Sequence, residues 1–535
     1  MARWRKRLVW AIALCLSGGC LSPKPAIDFT LQPYTSIPID VSAPAGGERL
    51  PEPKSDDDSK PKSAEPKKFE ERLKIPRELP GSDAEPIPIP ADPTKRDERA
   101  AAIKKFYEQP LPPLPADIVV KPGPAGAPLT LAELQAMAAA NHPKLRQAAA
   151  DVEAASGATI QAGLYPNPTI GYEGDTIGSG NTAGQQGGFI EQLIKLGGKR
   201  RLAQAAAATE WLNARVALRR AQVDLTAEVR NGYFAVLVAQ ESLRVSKALT
   251  TLTEEMYRIH VERVTQAKLD APYEPMQLRV LAVQARANLI QAQNRYRSAW
   301  KQLAASMNQP DMAPTELAGR PDMPLPKFQF DDVLPLVVEQ HTDVASAQNN
   351  ILKAQYLVRL AEVTPIPDVM VRSVVQKDYT TPPFNTTANV EVSMPVPLFD
   401  RNQGGRLQAQ ANLARAIEEI PKVRNELTKQ LAEAFERYIN AAYLLNYYRS
   451  HILPDQVRTY RGVVGRYQIE PDRITLYDVV NAQQTMAAAI QNYLSALGSA
   501  WQAVVDIAKL TQADDLFGAG QPMELAPIPM LDEKK

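Results

Sequence analysis

The chain has 535 residues, of which 44% are hydrophobic and 23% are charged, and its formal net charge at pH 7 is +1. A hydrophobic fraction of this size can bury a core, so the composition excludes a wholly disordered protein. The near-neutral charge gives no reason to expect nucleic acid as a partner, and a total of 4 His and 2 Cys excludes zinc fingers, thiolate clusters and a disulfide framework.

The N-terminus has the features of a targeting segment. Basic residues at positions 3, 5, 6 and 7 precede the apolar run 8–16, which is too short for a transmembrane helix because that needs roughly 20 residues. Small residues and then Cys20 follow this run. The order is typical of a secretory signal over residues 1–19. A Cys directly after small residues resembles a bacterial lipoprotein cleavage site, so Cys20 is the predicted lipidation site. A plain signal peptide is the alternative.

The next segment, residues 20–127, is rich in Pro and shows no sustained hydrophobic periodicity. Such a composition predicts an extended, largely disordered tether with little core of its own. Residues 95–108 are the exception, because their pattern predicts one short helix.

Beyond residue 128 the sequence predicts short strands and very long helices. Strands are expected at 169–176, 187–196, 369–377 and 388–398, where apolar and polar residues alternate. The alternation suits a membrane barrel strand, and it equally suits any half-buried hairpin. Residues 199 to about 264 carry apolar side chains at mixed three-, four- and seven-residue spacing, which predicts one continuous helix. At 1.5 Å per residue its length is roughly 100 Å, as in a coiled coil or a tube of packed helices.

Glycine pairs mark the places where strands are expected to become helices. Gly permits backbone angles that other residues resist. The predicted strand-to-helix junctions are therefore Gly197, Gly198, Gly404 and Gly405. An ordinary loop pair is the alternative, although the two pairs occupy equivalent places in the chain.

Proline marks the opposite change, from helix to strand. A Pro disfavours helical backbone in the residue before it. The predicted helix-to-strand junctions are Pro166, Pro168, Pro365 and Pro367. Pro421 and Pro454 lie instead inside helical patterns, where they are expected to bend or break the helix.

The chain repeats itself at an offset of about 200 residues, and a repeat of this kind indicates a duplicated architecture. Each half is predicted as helix, strand, loop, strand, very long helix, turn and helix. In chain order the predicted segments are the signal peptide (1–19), the tether (20–127), the first repeat (128–312), a linker (313–329), the second repeat (330–512) and a C-terminal tail (513–535).

The number of strands constrains any membrane role. Four strands cannot close a barrel, and a bilayer does not tolerate open sheet edges. If these strands lie in a membrane, several chains must contribute, and three chains would supply twelve strands, an even number within the known range.

Three motifs resemble those of TolC-like outer membrane factors, in the family's order. Residues 191–200 resemble the family's strand-to-helix segment and are most similar to its cobalt-zinc-cadmium efflux branch. Residues 394–404 repeat this signature, and residues 452–483 carry the last motif. The resemblance covers about residues 128–512. Pro471-Asp472 stands where the family usually has a Gly, so the detail of the periplasmic tip departs from the family pattern.

The resemblance implies a mainly α chain with a small β part that assembles as a homotrimer. The trimer would form a 12-stranded transmembrane β-barrel in outer membrane lipid and a long α-helical tunnel through the periplasm. It would be a passive duct and not an enzyme. Its expected partners are a periplasmic adaptor (membrane fusion protein) and an inner-membrane pump of the resistance-nodulation-division type, with metal ions or small toxic compounds as cargo. The alternatives are a protein-secretion duct of the same family and a coiled-coil envelope lipoprotein without a pore.

The tunnel entrance is expected to carry carboxylates. Asp478 occupies the carboxylate position of the family motif, Asp472 lies shortly before it, and Glu274 is the equivalent of Asp478 in the first half. Threefold symmetry would turn an inward-facing carboxylate into a ring of three, which favours cations. The alternative is that these residues are ordinary solvated charges at the tip.

No residue pattern points to catalysis. The four histidines, His142, His260, His341 and His451, are scattered through the sequence. Phosphate loops, HExxH motifs and Ser-His-Asp sets are absent from the sequence. We therefore expect no catalytic residue, no resident metal and no cofactor.

Overall fold

The structure is a computed structural model that describes residues 79–85, 96–107, 109–114, 116–267, 274–470 and 473–516. Cys20 and Asp472 lie outside the described residues. The chain divides into two units, Met1–Glu85 and Pro86–Lys535. The described part of the first unit, residues 79–85, is a turn in which Ser82 N donates to the Leu79 carbonyl oxygen over 3.1 Å.

The second unit contains the helices and the sheet. In chain order they are α1 (Arg96–Tyr107), α2 (Leu131–Asn141), α3 (Pro143–Gly163), β1 (Thr169–Asp175), β2 (Gln185–Ile194), α4 (Lys199–Glu262), α5 (Glu274–Ser306), α6 (Phe330–Gln340), α7 (Thr342–Val363), β3 (Val369–Asp378), β4 (Thr386–Ser393), α8 (Gln403–Tyr447), α9 (Leu453–Ile469) and α10 (Leu476–Thr511). Within these described ranges, no helix combines the length and the apolar character that a bilayer crossing requires.

The longest element confirms the predicted continuous helix. Helix α4 spans 64 residues, which is about 96 Å at 1.5 Å per residue. It packs against α3 and α5 of its own repeat and against α7 and α10 of the other. The two repeats therefore share one helical body, and α4 runs along its length.

The corresponding helix of the second repeat is interrupted. Helix α8 covers 45 residues and passes through Pro421 without ending. A wider π-type turn, Tyr448–Ile452, then precedes Pro454 at the start of α9. Because Pro has no N–H to donate, it is tolerated in the first turn of a helix, and here it marks the point where a new helix begins.

The four strands form one antiparallel sheet in the order β1-β2-β3-β4. Each repeat supplies one hairpin, and β2 pairs with β3 to join them. Strand β4 ends at Ser393, so the prediction that it continues to residue 398 is wrong. Pro395 and Pro397 follow, and neither has the N–H that a paired strand must donate.

The buried side chains of the described residues form two clusters along the helices. The main core contains Phe234 of α4, Trp300 of α5 and Trp501 of α10. The second cluster, here called the tip core, consists of Ile103, Tyr107, Tyr257, Val264, Leu278, Ala282, Leu476 and Val480. Phe234 and Tyr257 are 23 positions apart on α4, so these members of the two clusters lie about 35 Å apart along the helix axis.

Part of the predicted tether packs against the two repeats. The short helix expected over 95–108 is confirmed by α1, which contributes Ile103 and Tyr107 to the tip core. Further along, Lys247 of α4 forms a 2.7 Å ion pair with Asp117.

The segment then joins the linker between the repeats by backbone hydrogen bonds. Lys121 N donates to the Pro314 carbonyl oxygen and Leu129 N donates to that of Glu316, both over 2.8 Å. The described residues between 96 and 129 thus follow the helical body away from the tip core.

Candidate functional site

The first strand-to-helix junction is built on left-handed glycines. Gly197 and Gly198 have φ of +68° and +70°, a region that residues with a side chain rarely adopt. A Cβ on Gly197 would also lie 2.9 Å from Ile366 Cδ1. The adjoining Asp368 accepts hydrogen bonds from Leu196 N at 3.1 Å and from Lys199 Nζ at 2.9 Å. These contacts hold the end of β2 and the start of α4 against the second repeat.

The second junction uses a different residue for the same turn. Asn402 has a φ of +55°, whereas Gly404 and Gly405 lie within the first turn of α8. Asn is the residue with a side chain that most readily adopts this backbone conformation, and its Nδ2 donates to the Ala361 carbonyl oxygen at 2.9 Å. The left-handed position predicted at the glycine pair is therefore occupied by Asn402.

The proline junctions lie between the helices and strands as the pattern indicated. Pro166 and Pro168 follow the end of α3 at Gly163, and β1 begins directly after them. Pro365 and Pro367 occupy the same place between α7 and β3.

Equivalent histidines cap equivalent helices in the two repeats. His142 Nδ1 accepts from Lys144 N at 3.2 Å, and His341 Nδ1 accepts from Asp343 N at 3.1 Å. Each His therefore satisfies a backbone donor at the start of α3 or α7. Burial lowers the pKa of His341 and favours the neutral form, which alone can accept this hydrogen bond.

A third histidine joins two helices near the tip core. His260 Nδ1 lies 2.8 Å from the Met256 carbonyl oxygen, and its Nε2 lies 3.1 Å from the Tyr467 hydroxyl. A carbonyl only accepts, so Nδ1 carries the proton. His260 therefore links α4 to α9.

Asp478, the predicted entrance carboxylate, lies in the first turn of α10. Its Oδ2 accepts from Thr475 N and from Thr475 Oγ1, both at 2.8 Å, so Asp478 and Thr475 form a capping box. These hydrogen bonds hold the pKa of the Asp478 carboxyl below its usual value. Asp478 is exposed, while its neighbours Val479 and Val480 are buried. A fixed negative charge thus stands beside the tip core.

The structure describes less of the other two predicted carboxylates, Glu274 and Asp472. Glu274 is the first residue of α5, so it begins the helix that packs beside α4. Asp472 is outside the part of the chain that the structure describes. The structure therefore brings only Asp478 into a defined arrangement.

The sheet has an apolar face and a polar face. Direct cross-strand partners share a face, and so do alternate residues of one strand. The apolar face presents Ile170, Val375 and Val390, and Val390 is 71% exposed. The polar face contains the row Glu191, Arg372 and Glu391, which are direct partners across β2, β3 and β4.

The polar face is the crowded side of the sheet. Gln376 is 4% exposed on this face, whereas the adjacent Val375 is 54% exposed on the other. Arg372 of β3 pairs with Glu173 of β1 at 2.5 Å, across the intervening strand β2. Sequence reasoning missed this pair, although the alternation within each strand separates its polar side chains from its apolar ones.

In the described ranges, no group of three or more His, Cys, Asp or Glu side chains is placed to hold a metal ion. The geometry provides long packed helices, a sheet with an apolar and a polar face, and a charged helix start near the tip. Such an arrangement can line a path for a solute.

Comparison with known proteins agrees with this geometry. The family model described as outer membrane efflux protein matches residues 134–309. The cobalt-zinc-cadmium resistance protein CzcC of Cupriavidus metallidurans is 27% identical over 394 residues, covering 74% of this chain and 92% of the relative.

Solved structures show the same fold. The outer membrane protein VceC of Vibrio cholerae is matched over 71% of this chain and 95% of its own, with 17% identity and a TM-score of 0.60. The open state of the MtrE outer membrane channel of Neisseria gonorrhoeae is matched over 76% and 97%, with 16% identity and a TM-score of 0.59. The duplicated motifs, the helical body with its four-stranded sheet and these similarities agree, and the chain belongs to the TolC-like family of outer membrane efflux proteins.

Proposed function

We propose that this protein is the outer-membrane channel of a tripartite efflux system and acts as a passive trimeric duct. The observation that carries the proposal is the sheet, in which the described residues form four strands and leave two edges, β1 and β4, without a partner strand. An open edge cannot stay unpaired inside a bilayer. Three copies joined edge to edge would close a barrel of twelve strands, with the apolar face toward lipid.

The helices support the second half of the proposal. Helix α4 is about 96 Å long, and it lies in a body of antiparallel helices that extends from the sheet. Three such bodies would continue the barrel as an α-helical tunnel through the periplasm. In this arrangement the tip core, with Asp478 beside it, is at the end of the tunnel farthest from the barrel.

The partners and the cargo are part of the same proposal. A passive duct needs an energised pump, so an inner-membrane pump of the resistance-nodulation-division type would deliver cargo through a periplasmic adaptor. The relative named as a cobalt-zinc-cadmium resistance protein favours metal ions as cargo. A lipid on Cys20 would anchor the chain in the outer membrane.

The two alternatives differ in how well they explain the sheet. A coiled-coil lipoprotein without a pore has no use for two paired hairpins with an apolar outer face. A protein-secretion duct would use the same fold, and it differs from the proposal only in its cargo.

Oligomeric state and conductance test the proposal together. The purified protein in detergent is expected to have the mass of three chains by light scattering and to form ion-conducting pores in planar bilayers. A stable monomer with an intact sheet would contradict the duct. For the cargo, a strain that lacks the gene should become sensitive to zinc, cobalt or cadmium, whereas loss of a secreted protein with unchanged metal tolerance would favour the secretion duct.

We further propose that Asp478 contributes a ring of three carboxylates at the tunnel entrance. Replacing it with Asn removes the charge but keeps an oxygen that can accept from Thr475. Asp478→Asn is therefore expected to lower the preference of the pore for K⁺ over Cl⁻ by about twofold and to weaken block by trivalent cations. The measurement is the reversal potential of single pores in a KCl gradient.

A matched control separates the charge from the helix cap. Glu133 forms a capping box with Thr130 at the start of α2, in which Thr130 N and Thr130 Oγ1 both donate to Glu133 Oε2, as Thr475 N and Oγ1 do to Asp478 Oδ2. Glu133→Gln should leave selectivity unchanged. If Asp478→Asn also leaves selectivity and block unchanged while trimers form, Asp478 does not line the entrance.

A further inference from the structure

The polar face of the sheet carries more negative than positive side chains. The strand register places five carboxylates on this face: Glu173, Asp175, Glu191, Asp378 and Glu391. Among the described residues of β1 to β4, Arg372 is the only cationic side chain on this face. Lys377 is at the end of β3 on the opposite, apolar face. Carboxylates therefore outnumber cationic groups on the crowded side of the sheet.

Arg372 is held in place by groups on two strands. Its guanidinium forms the 2.5 Å ion pair with Glu173 and lies 4.6 Å from the centre of the Phe189 ring. The ring in turn lies against Gly171, where an added Cβ would be 2.5 Å from Phe189 Cε1. Gly171 thus leaves the space that the aromatic ring fills, and the ring supports the guanidinium through a cation–π contact.

The row through Arg372 is not neutral. Glu191 and Glu391 are its direct cross-strand partners, on either side, but the ion pair of Arg372 is with Glu173. On the same face, the buried side-chain atoms Arg372 Nε and Gln376 Oε1 have no hydrogen-bond partner in the structure. This face therefore carries polar groups that the side chains of one chain do not fully pair.

We propose that Glu191, Arg372 and Glu391 determine the charge selectivity of the barrel, and that the barrel selects positively charged small solutes such as hydrated metal cations. The inference rests on the trimeric duct proposed above, which places this face toward the lumen. Three copies would set these carboxylates around the lumen of the barrel, whose low-dielectric wall strengthens the field of the charges. Arg372, already neutralised by Glu173, would moderate this field without reversing it.

Substitutions of opposite sign test the proposal in planar bilayers with a KCl gradient. The double variant Glu191→Gln and Glu391→Gln is expected to lower the permeability ratio of K⁺ to Cl⁻ by about two- to threefold. Arg372→Gln is expected to raise the same ratio by about twofold, because it leaves Glu173 unpaired. Lys377→Gln is the matched control, since it also removes one positive charge but lies on the apolar face, and it should leave the ratio unchanged.

The outcomes separate this inference from the proposed function. Pores of normal conductance whose ratio is unchanged in both the double variant and Arg372→Gln would overturn the inference and leave the duct intact. An equal shift in Lys377→Gln and Arg372→Gln would overturn it too, because selectivity would then not depend on the face. A wild-type protein that forms no pore would overturn the proposed function and this inference together. The double variant keeps the Arg372–Glu173 pair, so it remains informative if Arg372→Gln fails to fold.

Discussion

Replacing Trp501 with Ala is expected to lower the free energy of unfolding by about 3–5 kcal/mol, as is usual for truncation of a large buried aromatic side chain. Trp501 of α10 is fully buried and stacks on Phe234 of α4, with ring centres 3.9 Å apart and planes 5° apart. Its Nε1 donates to the Pro321 carbonyl oxygen at 2.7 Å. One side chain therefore joins both repeats and the linker between them.

Thermal unfolding followed by circular dichroism would measure the effect of Trp501→Ala in the purified assembly. Trp501→Phe is the first control, because it keeps a stacking ring while it loses the indole hydrogen bond, at a cost of about 1–3 kcal/mol, and a small part of the buried volume. Tyr443→Ala on α8 is the second, since Tyr443 is 65% exposed in the single chain and lies outside the main core, so its truncation is expected to cost less than that of Trp501. Equal destabilisation by Trp501→Ala and Tyr443→Ala would show that the main core is not where the structure places it.

The second large effect is expected at the tip. Tyr107 of α1 is buried, and its ring packs edge-on against Tyr257 of α4 at 6.4 Å. The same tip core includes Leu278 of α5 and Leu476 of α10. Tyr107→Ala should cost about 2–4 kcal/mol of local stability, because α1 would lose its aromatic contact with the helix ends.

Hydrogen exchange measured by mass spectrometry is the appropriate readout for Tyr107→Ala, since the change is local. Exchange is expected to accelerate around residues 257–264 and 476–480 and to remain unchanged around Trp501. Val119→Ala, on the same N-terminal segment but 79% exposed, should alter neither region. Unchanged exchange at the tip in Tyr107→Ala would mean that residues 96–107 act only as a tether.

The local features of the fold were predictable because they depend on neighbours in sequence. The apolar spacing over 199–264 predicted α4 almost to its ends, since an α-helix repeats its own geometry every 3.6 residues. The prolines located the changes from helix to strand for a similar reason, because a Pro restricts only its own backbone and that of the preceding residue.

The backbone of the second strand-to-helix junction depends on a contact that is distant in the sequence. The duplicated glycine pair suggested the same backbone at both junctions, but Asn402 adopts the left-handed conformation in the second repeat. Its side chain reaches the Ala361 carbonyl oxygen, 41 positions earlier in the chain. That hydrogen bond depends on how α7 and α8 approach each other, which the residues around 402 do not determine by themselves.

The sequence by itself determined the duplicated order of elements, the long helix, the hairpins and the family. Only the tertiary structure decided which side chains that are distant in the sequence contact each other. Tyr107 packs against Tyr257 at the tip, and Arg372 pairs with Glu173 across the sheet. Arg372 and Glu173 are 199 positions apart, so no periodicity within either strand links them. Their pairing depends on the register of β2 against both neighbouring strands, which is set by the packing of two repeats that lie far apart in the chain.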